Sequence, residues 1–390
     1  MAGALDGIMV ADFSRVLAGP YASMLLADHG ADVIKVESPA GDTTRGWGPP
    51  FAVDGQTTYF ASVNRNKRSV ALDLTTKDDR ELARRLAVRA DVIIENLMPG
   101  KLADFGLGYE AIRAQNAGVV YCSINGFGSQ AGAQLPGFDL LVQAMGGLMS
   151  ITGIAEPTRA GVAVVDVLTG LHASVGILAA LRERERSGNG QWIEVSLLAT
   201  LLSSLVNQSA AFVGGGVTPG HTGNAHPSIA PYQLYEASDR SIVVAAGTDR
   251  QFHRLVDILD LPELGEDPRF RTNADRVRNL TALNEALVPT FARLPAARWV
   301  HRLTAVGVPC GPVNNIGEAF ALAEQLGLQP TAPFETNPQE TVDRTVANPA
   351  AMSATPVRYR TAPPSLDQDG DDIRQWLAGL DQGPDDPLRS

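Results

Sequence analysis

The sequence predicts an α/β fold, with a large domain built on a mostly parallel sheet and a second, smaller domain. Two observations support this prediction. Short apolar runs alternate with helical stretches through the N-terminal half, which is the pattern of parallel sheets with crossover helices. Near Gly214 the composition changes to a glycine-rich loop, after which new strands and helices follow. The 390 residues are enough for two domains.

The first elements form a strand–helix–strand unit. Residues 8–13 (IMVADF) predict a buried strand, and the sequence AGP at 18–20 then turns the chain into a helix over residues 21–29. Gly30 suits the end of that helix, because glycine adopts the left-handed conformation common there. Residues 31–37 (ADVIKVE) predict the second strand. Such a unit is the building block of parallel sheets.

The same alternation continues along the large domain. Strands are predicted at residues 68–74, 91–95, 119–124 and 191–195, and a short strand or extended segment at 162–165. Helices are predicted over residues 78–90 and 109–115, after Asp166, and from Ser196. Residues 38–58 are polar and rich in Gly, Pro and Thr, which indicates a loop.

The domain boundaries follow from composition. The large domain is predicted over residues 1–213, a linker over 214–228, the small domain over 229–328, a return linker over 329–365, and the C-terminal part of the large domain over 366–390. The small domain has predicted strands at 229–234 and 241–246 and a helix at 250–259. A final helix is predicted over residues 369–380.

Composition excludes several classes of function. The net charge is -11, and the 32 Lys and Arg residues are scattered, which argues against a nucleic-acid or membrane-binding surface. Cys122 and Cys310 lie in apolar contexts and predict buried thiols of a cytoplasmic protein. The N-terminus lacks the pattern of a signal peptide, and we expect no membrane-spanning segment.

Sequence motifs for metals and common cofactors are missing. The histidines form no HExxH pair and there is no CxxC, so no metal site is expected. The first strand runs into RVLAGP instead of GxGxxG, and neither a P-loop nor a GxSxG elbow is present. No cofactor is therefore expected.

Three loops follow predicted strands at their carboxyl ends, where open α/β sheets bind ligands. They are residues 15–20, 96–100 and 125–128. A basic cluster, NRNKR at residues 64–68, precedes another strand. Either this cluster contacts phosphates or it is a solvated turn, and the local sequence leaves both alternatives open.

Asp166 lies at the start of a nearly all-apolar helix, which predicts a buried helix. In one interpretation Asp166 is the N-cap of that helix. In the other it is a carboxylate nucleophile, kept ionised by the positive end of the helix dipole. The local sequence allows both.

Eight ordered blocks, spread over nearly the whole chain, carry a family resemblance. They are LDGIMVADFSRVLAGPYASMLLADHGADVIKVESPAGDTTRGW, NRNKRSVALDL, ADVIIENLMPG, PGFDLLVQAMGGLMSITG, VAVVDVLTGLHASVGILAALRERERSGNGQWIEVSLL, GNAHPSIAPYQLY, DPRFRTNADRVRN and GVPCGPVNN. In this order they resemble the family III CoA-transferases, which include formyl-CoA transferase and carnitine CoA-transferases. The α-methylacyl-CoA racemases are related to this group.

The resemblance implies a fold and a reaction. The fold is a Rossmann-like large domain and a smaller α/β domain, in a ring-like chain that interlocks with a second copy as a homodimer. The reaction moves coenzyme A, a substrate, from an acyl-CoA to a carboxylic acid. Asp166 matches the catalytic carboxylate, which forms an aspartyl anhydride and then an aspartyl-CoA thioester.

The resemblance also implies a set of CoA-binding residues. They are Leu17, Ala18, Leu72, Asn96, Leu97, Met98 and Lys101. Basic residues that family members often carry are replaced here by Ser38, Met98 and Asp104, and Lys101, Arg45 or Lys67 would have to hold the phosphates instead.

Two other functions stay open at this stage. The racemases use a histidine before the aspartate of the PGFD block, and Phe138 occupies that position, which disfavours a racemase or isomerase. The replaced basic residues suggest a CoA-binding homologue without catalysis. The glycine-only lid of some formyl-CoA transferases is not matched, since HTGNAHP stands near its place, so the oxalate/formate pair is not supported.

Overall fold

The computed structural model describes residues 2–52, 55–336 and 343–379. The strands are β1 (Met9–Asp12), β2 (Asp32–Glu37), β3 (Lys67–Ala71), β4 (Val92–Glu95), β5 (Val120–Asn125), β6 (Trp192–Ser196), β7 (Tyr232–Glu236), β8 (Ser241–Ala245), β9 (Cys310–Pro312), β10 (Thr331–Pro333) and β11 (Arg344–Val346). The helices are α1 (Ala18–Asp28), α2 (Thr58–Ala61), α3 (Lys77–Arg89), α4 (Lys101–Asp104), α5 (Tyr109–Arg113), α6 (Asp139–Met145), α7 (Leu148–Ile151), α8 (Val164–Ser187), α9 (Leu197–Ser204), α10 (Asn207–Gly215), α11 (Asp249–Ile258), α12 (Glu263–Glu266), α13 (Asn273–Arg278), α14 (Leu280–Phe291), α15 (Ala296–Ala305), α16 (Ile316–Gln325) and α17 (Gly370–Gly379).

A six-stranded sheet forms the centre of the larger unit. Its strand order is β3-β2-β1-β4-β5-β6, and every neighbouring pair is parallel. This confirms the predicted α/β fold, and the order is that of a Rossmann-like sheet. The chain first adds β2 and β3 on one side of β1, and it then adds β4, β5 and β6 on the other side. The carboxyl ends of β1 and β4 therefore border the crevice where such sheets bind ligands.

Both faces of this sheet are buried. Successive side chains of a strand point to opposite faces, and Val10 and Ala11 of β1 accordingly belong to two different hydrophobic clusters. One cluster includes residues of α1 and α8, and the other includes residues of α3 and α17. A parallel sheet needs helices on both faces, which explains the continuous apolar runs that predicted its strands.

Two predicted boundaries are wrong at helix starts. Residues 162–165 form no strand, because α8 already begins at Val164. A short apolar run cannot by itself distinguish a strand from the start of a buried helix. Helix α1 begins at Ala18 instead of residue 21, and Pro20 lies within its first turn. Proline is tolerated there because the first N–H groups have no partner within the helix.

Helix α8 is buried on one side only. Thr169, Gly170, Ala173 and Ile177 are buried, whereas the side chain of Val175 is 66% exposed. The prediction of a helix buried all round is therefore wrong for the single chain. Apolar side chains on α9 and α10 are exposed as well; with those on α8 they are Leu171, Val175, Leu178, Leu202, Phe212 and Val213.

By length and composition alone, α8 could cross a membrane, which differs from the expectation of no such segment. Helices α9 and α10 meet the same test only as one segment bent by 85°. About half of the apolar window of α8 is buried within the protein, at 44%, and α8 contributes to the core beneath the sheet. Core helices of globular proteins commonly share this composition.

The C-terminal segment covers the edge strand of the sheet. An edge strand leaves N–H groups without strand partners. The Ser69 N–H donates to the Asp369 carboxylate at 2.8 Å, and the Ala71 N–H donates to Asp367 at 2.7 Å. Ile373 of helix α17 is completely buried in the hydrophobic cluster that also includes residues of α3. Residues 380–390, the rest of the predicted C-terminal part and the end of its helix, lie outside the described residues.

The chain divides into two compact units. The first comprises Met1–Leu148, Ala160–Val217 and Gln329–Ser390, and the second comprises Met149–Arg159 and Thr218–Leu328. The predicted large domain includes residues 149–159, which here are part of the second unit. In that unit β7, β8 and β9 form an antiparallel sheet. Helices α11, α14 and α15 contribute to its core.

Candidate active site

The three loops named from the sequence line one cavity. The cavity has a volume of about 390 Å³ and lies at the carboxyl ends of β1, β4 and β5. The loop residues in its wall are Arg15, Val16, Leu17, Ala18, Asn96, Leu97, Met98, Pro99, Asn125 and Gly126. Asp166 and Asp139 also line it. The topology of the sheet therefore places a carboxylate pair at the crevice where ligands are expected.

Asp139, not Asp166, caps helix α8. The Val165 N–H donates to Oδ1 of Asp139 at 2.8 Å, and the Asp166 N–H donates to the same oxygen at 3.3 Å. Gln143, one turn along α6, donates to the other Asp139 oxygen. The residue assigned to α8 as N-cap, Ala163, supplies no side-chain bond. The first-turn N–H groups that a cap must satisfy are thus occupied from another helix.

The Asp166 side chain is left without a bond. It lies in the first turn of α8 and faces no hydrogen-bond donor or cation within bonding distance in the part of the chain that the structure describes. The N-cap interpretation of Asp166 is therefore wrong, because its backbone N–H is a donor to the cap and its carboxylate takes no part. An unbonded carboxylate at a cavity is available to a ligand.

The protonation of Asp166 differs from the sequence expectation of a fully ionised group. Burial, and then the negative charge of Asp139, raise the pKa of Asp166 to about 7. The N–H groups that would have stabilised its anion already donate to Asp139. Near neutral pH the side chain is consequently divided between the carboxylic acid and the carboxylate.

Two aromatic residues beside the carboxylates were not found from the sequence. The Tyr59 and Trp47 rings pack edge to face with centroids 5.3 Å apart, and Trp47 lines the cavity. Burial raises the pKa of the Tyr59 phenol, and the charges of Asp166 and Asp139 raise it further. Tyr59 is placed by α2, whose N-cap Thr57 accepts from the Phe60 N–H. Trp47 belongs to the stretch 38–58 predicted as a loop, and Tyr59 follows it in residues for which no element was predicted.

A second cavity, of about 260 Å³, adjoins the first. Three residues line both: Arg15, Thr43 and Leu97. The second cavity also has an apolar wall made by Phe13, Leu72, Leu74 and Phe105. An elongated ligand with one apolar or aromatic end could occupy both cavities at once.

The residues predicted to bind CoA divide between these cavities. Leu17, Ala18, Asn96 and Met98 line the first, Leu72 lines the second, and Leu97 lines both. Lys101 lines neither; it is exposed on α4, where its Nζ lies 3.5 Å from Asp104 and 5.0 Å from the centre of the Phe105 ring.

Asn96 also holds the backbone of Arg15 in place. Its Oδ1 accepts from the Arg15 N–H at 2.8 Å, and its Nδ2 donates to the Arg15 carbonyl at 2.7 Å. The amide therefore holds the loop after β1 by both backbone groups of one residue. Its polar atoms are engaged with protein before any ligand is present.

Two cations predicted to hold phosphates are already paired. Lys67 is buried, and its Nζ lies 3.2 Å from Asp12. Arg45 makes two bonds to Glu37, at 2.8 and 2.7 Å, and covers the Phe60 ring. The prediction that either compensates for the replaced basic residues is wrong, because neither guanidinium nor ammonium is free.

The basic cluster at residues 64–68 is neither a phosphate site nor a solvated turn. Arg65 is buried and bonded to Asp28 by two nitrogens, at 2.9 and 2.6 Å. Arg68 pairs with Asp32, and Lys67 is paired as described. Each cation of the cluster neutralises a carboxylate of a neighbouring element.

Arg15 is the available cation of this region. Arg15 and Lys35 supply the cationic side chains of the two cavities, and Lys35 is fully buried and paired with Asp42. The Arg15 side chain is exposed and has no hydrogen bond or ion pair within the described residues, while Asn96 fixes its backbone. It lies in the first loop named from the sequence, although nothing there singled it out.

No cluster that could hold a metal ion is found among the described residues. The two cysteines are also apart from the cavities. Cys122 is buried in β5 and Cys310 is half-buried in β9, and both are free thiols.

Comparison with known proteins gives one consistent match. The family model described as CoA-transferase family III matches residues 5–370. The chain is 42% identical over 394 residues to the succinate–glutarate CoA-transferase of Agrobacterium fabrum, covering 97% of this chain and 96% of that protein. It is 43% identical over 322 residues to the succinyl-CoA:glutarate CoA-transferase of Homo sapiens, covering 81% and 73%.

A solved structure has the same fold. A CAIB/BAIF family protein from Brucella suis superposes with a TM-score of 0.86 at 39% identity, covering 97% of this chain and all of the other.

The capping bond from Asp139 predicts a specific effect on Asp166. In Asp139→Asn the side-chain oxygen can still accept from the Val165 N–H, but the negative charge is lost. We therefore expect the pKa of Asp166 to fall below its value of about 7 in the wild-type protein. The measurement is a ¹³C NMR titration of aspartate-labelled protein, with the Asp166 signal assigned from Asp166→Asn.

Asp371→Asn is the control, because that carboxylate is fully exposed at the start of α17. Asp371→Asn should leave the midpoint of the Asp166 titration unchanged. An unchanged midpoint in Asp139→Asn would contradict the electrostatic coupling described above.

Proposed function

The chain belongs to CoA-transferase family III and is a CoA-transferase that acts on carboxylic acids, and from this premise we propose that Asp166 carries the transferred group. One observation carries the proposal: the Asp166 carboxylate lines a cavity at the switch point of the sheet and is unbonded there, because Asp139 caps α8 in its place. Carboxylates can act as covalent nucleophiles.

The proposed reaction has two symmetric halves. A carboxylate oxygen of Asp166 attacks the thioester carbonyl of the donor, and the carbon–sulfur bond breaks to give a mixed anhydride and CoA thiolate. The thiolate then attacks the aspartyl carbonyl, which releases the donor acid and leaves an aspartyl-CoA thioester. The acceptor carboxylate repeats these steps in reverse order. Asp166 is regenerated, and the thioester bond is conserved overall.

Helix α1 supplies donors for the charge that develops during these steps. The helix begins at Ala18, and its N-cap residue Leu17 provides no side-chain bond to the first turn. Leu17 and Ala18 line the same cavity as Asp166. We infer that the first N–H groups of α1 stabilise the tetrahedral oxyanions, since free N–H groups at a helix start favour negative charge.

We infer that CoA occupies the two adjoining cavities together. We infer that the adenine lies against the apolar wall of the second cavity, near Leu72 and Phe105, and that the pantetheine arm passes Leu97 toward Asp166. Lys101, which lies beside Phe105, stays the predicted partner of the phosphates in this arrangement. Leu17, Ala18, Asn96 and Met98 border the arm in this arrangement.

A racemase or isomerase is less favoured. That chemistry needs a group that moves a proton at the carbon next to the thioester. No histidine lines either cavity among the described residues, and Phe138 occupies the position before Asp139. Asp139 itself is occupied as the cap of α8. The structure therefore offers one free carboxylate and no base paired with it.

The acids are proposed to be short dicarboxylic acids. The two curated relatives described above are named for succinate and glutarate, which carry a second carboxylate. Burying that charge beside Asp166 would be costly unless a cation met it. Arg15 is the free cation of the cavity wall, so we infer that its guanidinium binds the distal carboxylate of the acid.

A homodimer is proposed from the exposed apolar residues of α8, α9 and α10. Leu171, Val175, Phe212 and Val213 are all exposed in the single chain. Patches of this kind mark interaction sites. We infer that a second copy of the chain covers them. The interlocking of the two copies stays a prediction from the sequence, and so does the cytoplasmic location.

Asp166→Ala should lose CoA transfer, by about a thousandfold or more in kcat, while the protein stays folded. The measurement is transfer from succinyl-CoA to glutarate followed by chromatography, with circular dichroism as the folding check. In the wild-type protein, hydroxylamine should trap the aspartyl-CoA thioester as a hydroxamate on the peptide that contains Asp166. Transfer that persists in Asp166→Ala would refute the role proposed for Asp166. Transfer by the wild-type protein would by itself refute the alternative of a homologue without catalysis.

Arg15→Met should reduce the preference for dicarboxylic acids. The ratio of kcat/KM for glutarate to that for valerate, with the same donor, should fall about tenfold or more, because a charge-assisted bond contributes about 1.5–3 kcal/mol. Arg15→Lys keeps the charge and should retain part of the ratio. If both acids slow equally and the KM for the acyl-CoA rises, Arg15 binds a phosphate of CoA instead.

Val175→Glu should weaken the homodimer, because it places a charge among the exposed apolar side chains that the second copy is inferred to cover. The measurement is sedimentation velocity over a range of protein concentrations. Glu183→Gln, on the charged last part of α8, is the matched control and should leave the dimer intact. A wild-type chain that sediments as a monomer at every concentration would rule out the dimer.

A further inference from the structure

The loop after β1 contains a strained residue. Val16 has a φ of 69°, in the left-handed region that a β-branched side chain rarely adopts. It lies between Arg15 and Leu17 in the wall of the cavity that contains Asp166. A residue in this region persists only where surrounding contacts hold it.

Three consecutive residues of the loop are held by side chains from elsewhere. Lys35 donates to the Ser14 carbonyl at 2.9 Å, and Asn96 bonds both backbone groups of Arg15. The Val16 N–H donates to the Asp42 carboxylate, at 3.1 Å to Oδ2. Lys35 and Asp42 are themselves joined, with Nζ 3.0 Å from Oδ2. The strained residue Val16 is thus contacted by Asp42, and Ser14, two residues before it, is contacted by the other member of the ion pair, Lys35.

This ion pair is completely removed from solvent, since the side chains of Lys35 and Asp42 are 0% and 1% exposed. Burial opposes ionisation of Asp42, but the charge of Lys35 and the bonds from Thr44 lower its pKa to about 2. Asp42 is therefore an anion throughout the physiological range of pH. A buried ion pair adds little to stability compared with apolar residues of similar size, and its best attested use is to fix one conformation.

We propose that the buried Lys35–Asp42 pair is a positioning device that holds Val16 in its left-handed conformation and thereby sets the position of the first N–H groups of α1 relative to Asp166. The proposal rests on the proposed function, because it is the oxyanion formed on attack by Asp166 that these N–H groups serve. Val16 precedes the helix start by two residues, so a change in its φ would move Leu17 and the first turn together.

The two oxygens of Asp42 share the Val16 N–H but differ in their other partners, which permits a test. Oδ1 accepts from the Thr44 N–H at 3.0 Å and from the Thr44 hydroxyl at 2.8 Å, and so caps the 3-10 helix Thr43–Gly46. Oδ2 accepts from Lys35 at 3.0 Å and is the nearer acceptor of the Val16 N–H, which lies 3.1 Å from Oδ2 and 3.4 Å from Oδ1. In Asp42→Asn the remaining oxygen can stay with Thr44, while the amide nitrogen faces Lys35 and no longer accepts from Val16. The substitution therefore removes the ion pair and the shorter bond to Val16, and it keeps the cap.

The test is a double-mutant cycle between Asp42→Asn and Val16→Gly. The readout is the single-turnover rate at which the thioester on Asp166 forms, trapped with hydroxylamine. Asp42→Asn should slow this step about tenfold or more, with a smaller change in the KM for acyl-CoA. In the Val16→Gly background the same substitution should slow it several-fold less, since glycine adopts a positive φ without strain.

Asp28→Asn is the matched control. Asp28 is a buried carboxylate paired with the buried Arg65, and neither residue lines either of the two cavities described above. It should lower the Tm as Asp42→Asn does and leave the rate of thioester formation unchanged. A rate that falls equally in both variants would show a general stability effect and overturn the proposal. So would an equal effect of Asp42→Asn in the Val16 and Val16→Gly backgrounds.

Failure of the proposed function has a different signature, namely that no hydroxamate forms on Asp166 in the wild-type protein. If Asp42→Asn does not fold, the rate of thioester formation is compared between Val16→Pro and Val16→Gly instead. Proline fixes φ near −65° and removes the N–H that Asp42 accepts. It should be about tenfold slower than glycine at comparable Tm, and equal rates would overturn the proposal.

Discussion

The cap that Asp139 forms on helix α8 is the contact on which the chemistry of the site depends. A helix start has N–H groups that need acceptors. Two carboxylates could satisfy those of α8, and only Asp139 does so, at 2.8 Å from the Val165 nitrogen. Asp166 is then left with solvent-poor surroundings and a negative neighbour, which raise its pKa to about 7. A carboxylate with such a pKa is more basic than an ordinary aspartate, yet still partly ionised at neutral pH.

Most of the fold could be predicted because each buried strand is an apolar run flanked by a turn. All six strands of the parallel sheet overlap predicted ones, with boundaries that differ by at most a few residues. The start of α8 could not be predicted, since the run VAVV fits a strand as well as a helix. Nor could its exposed outer face, because composition shows that a helix is apolar but not whether the covering surface belongs to the same chain.

Individual residues of the site could be predicted from the sequence, but the contacts between them could not. The family resemblance assigned Asp166, and the strand ends assigned the loops around it. Pairing between residues distant in sequence could not be inferred, so Lys67 and Arg45 were expected to meet phosphates although Asp12 and Glu37 neutralise them. For the same reason nothing indicated Tyr59, which is brought beside Asp166 by a stretch without strand or helix periodicity.

Pairing also decides which buried carboxylates can react. In the same region, Asp12, Glu37 and Asp42 are all buried, and burial alone would raise their pKa values. Lysine and arginine partners reverse this effect and keep all three pKa values below the ordinary range. Asp166 has no cationic partner in the part of the chain that the structure describes, so burial prevails and its pKa rises. Among the described residues, this region thus contains paired anions that hold backbone in place, and it contains Asp166, an unpaired carboxylate whose pKa is about 7. This separation of pKa values by environment is how a protein gives different tasks to identical groups.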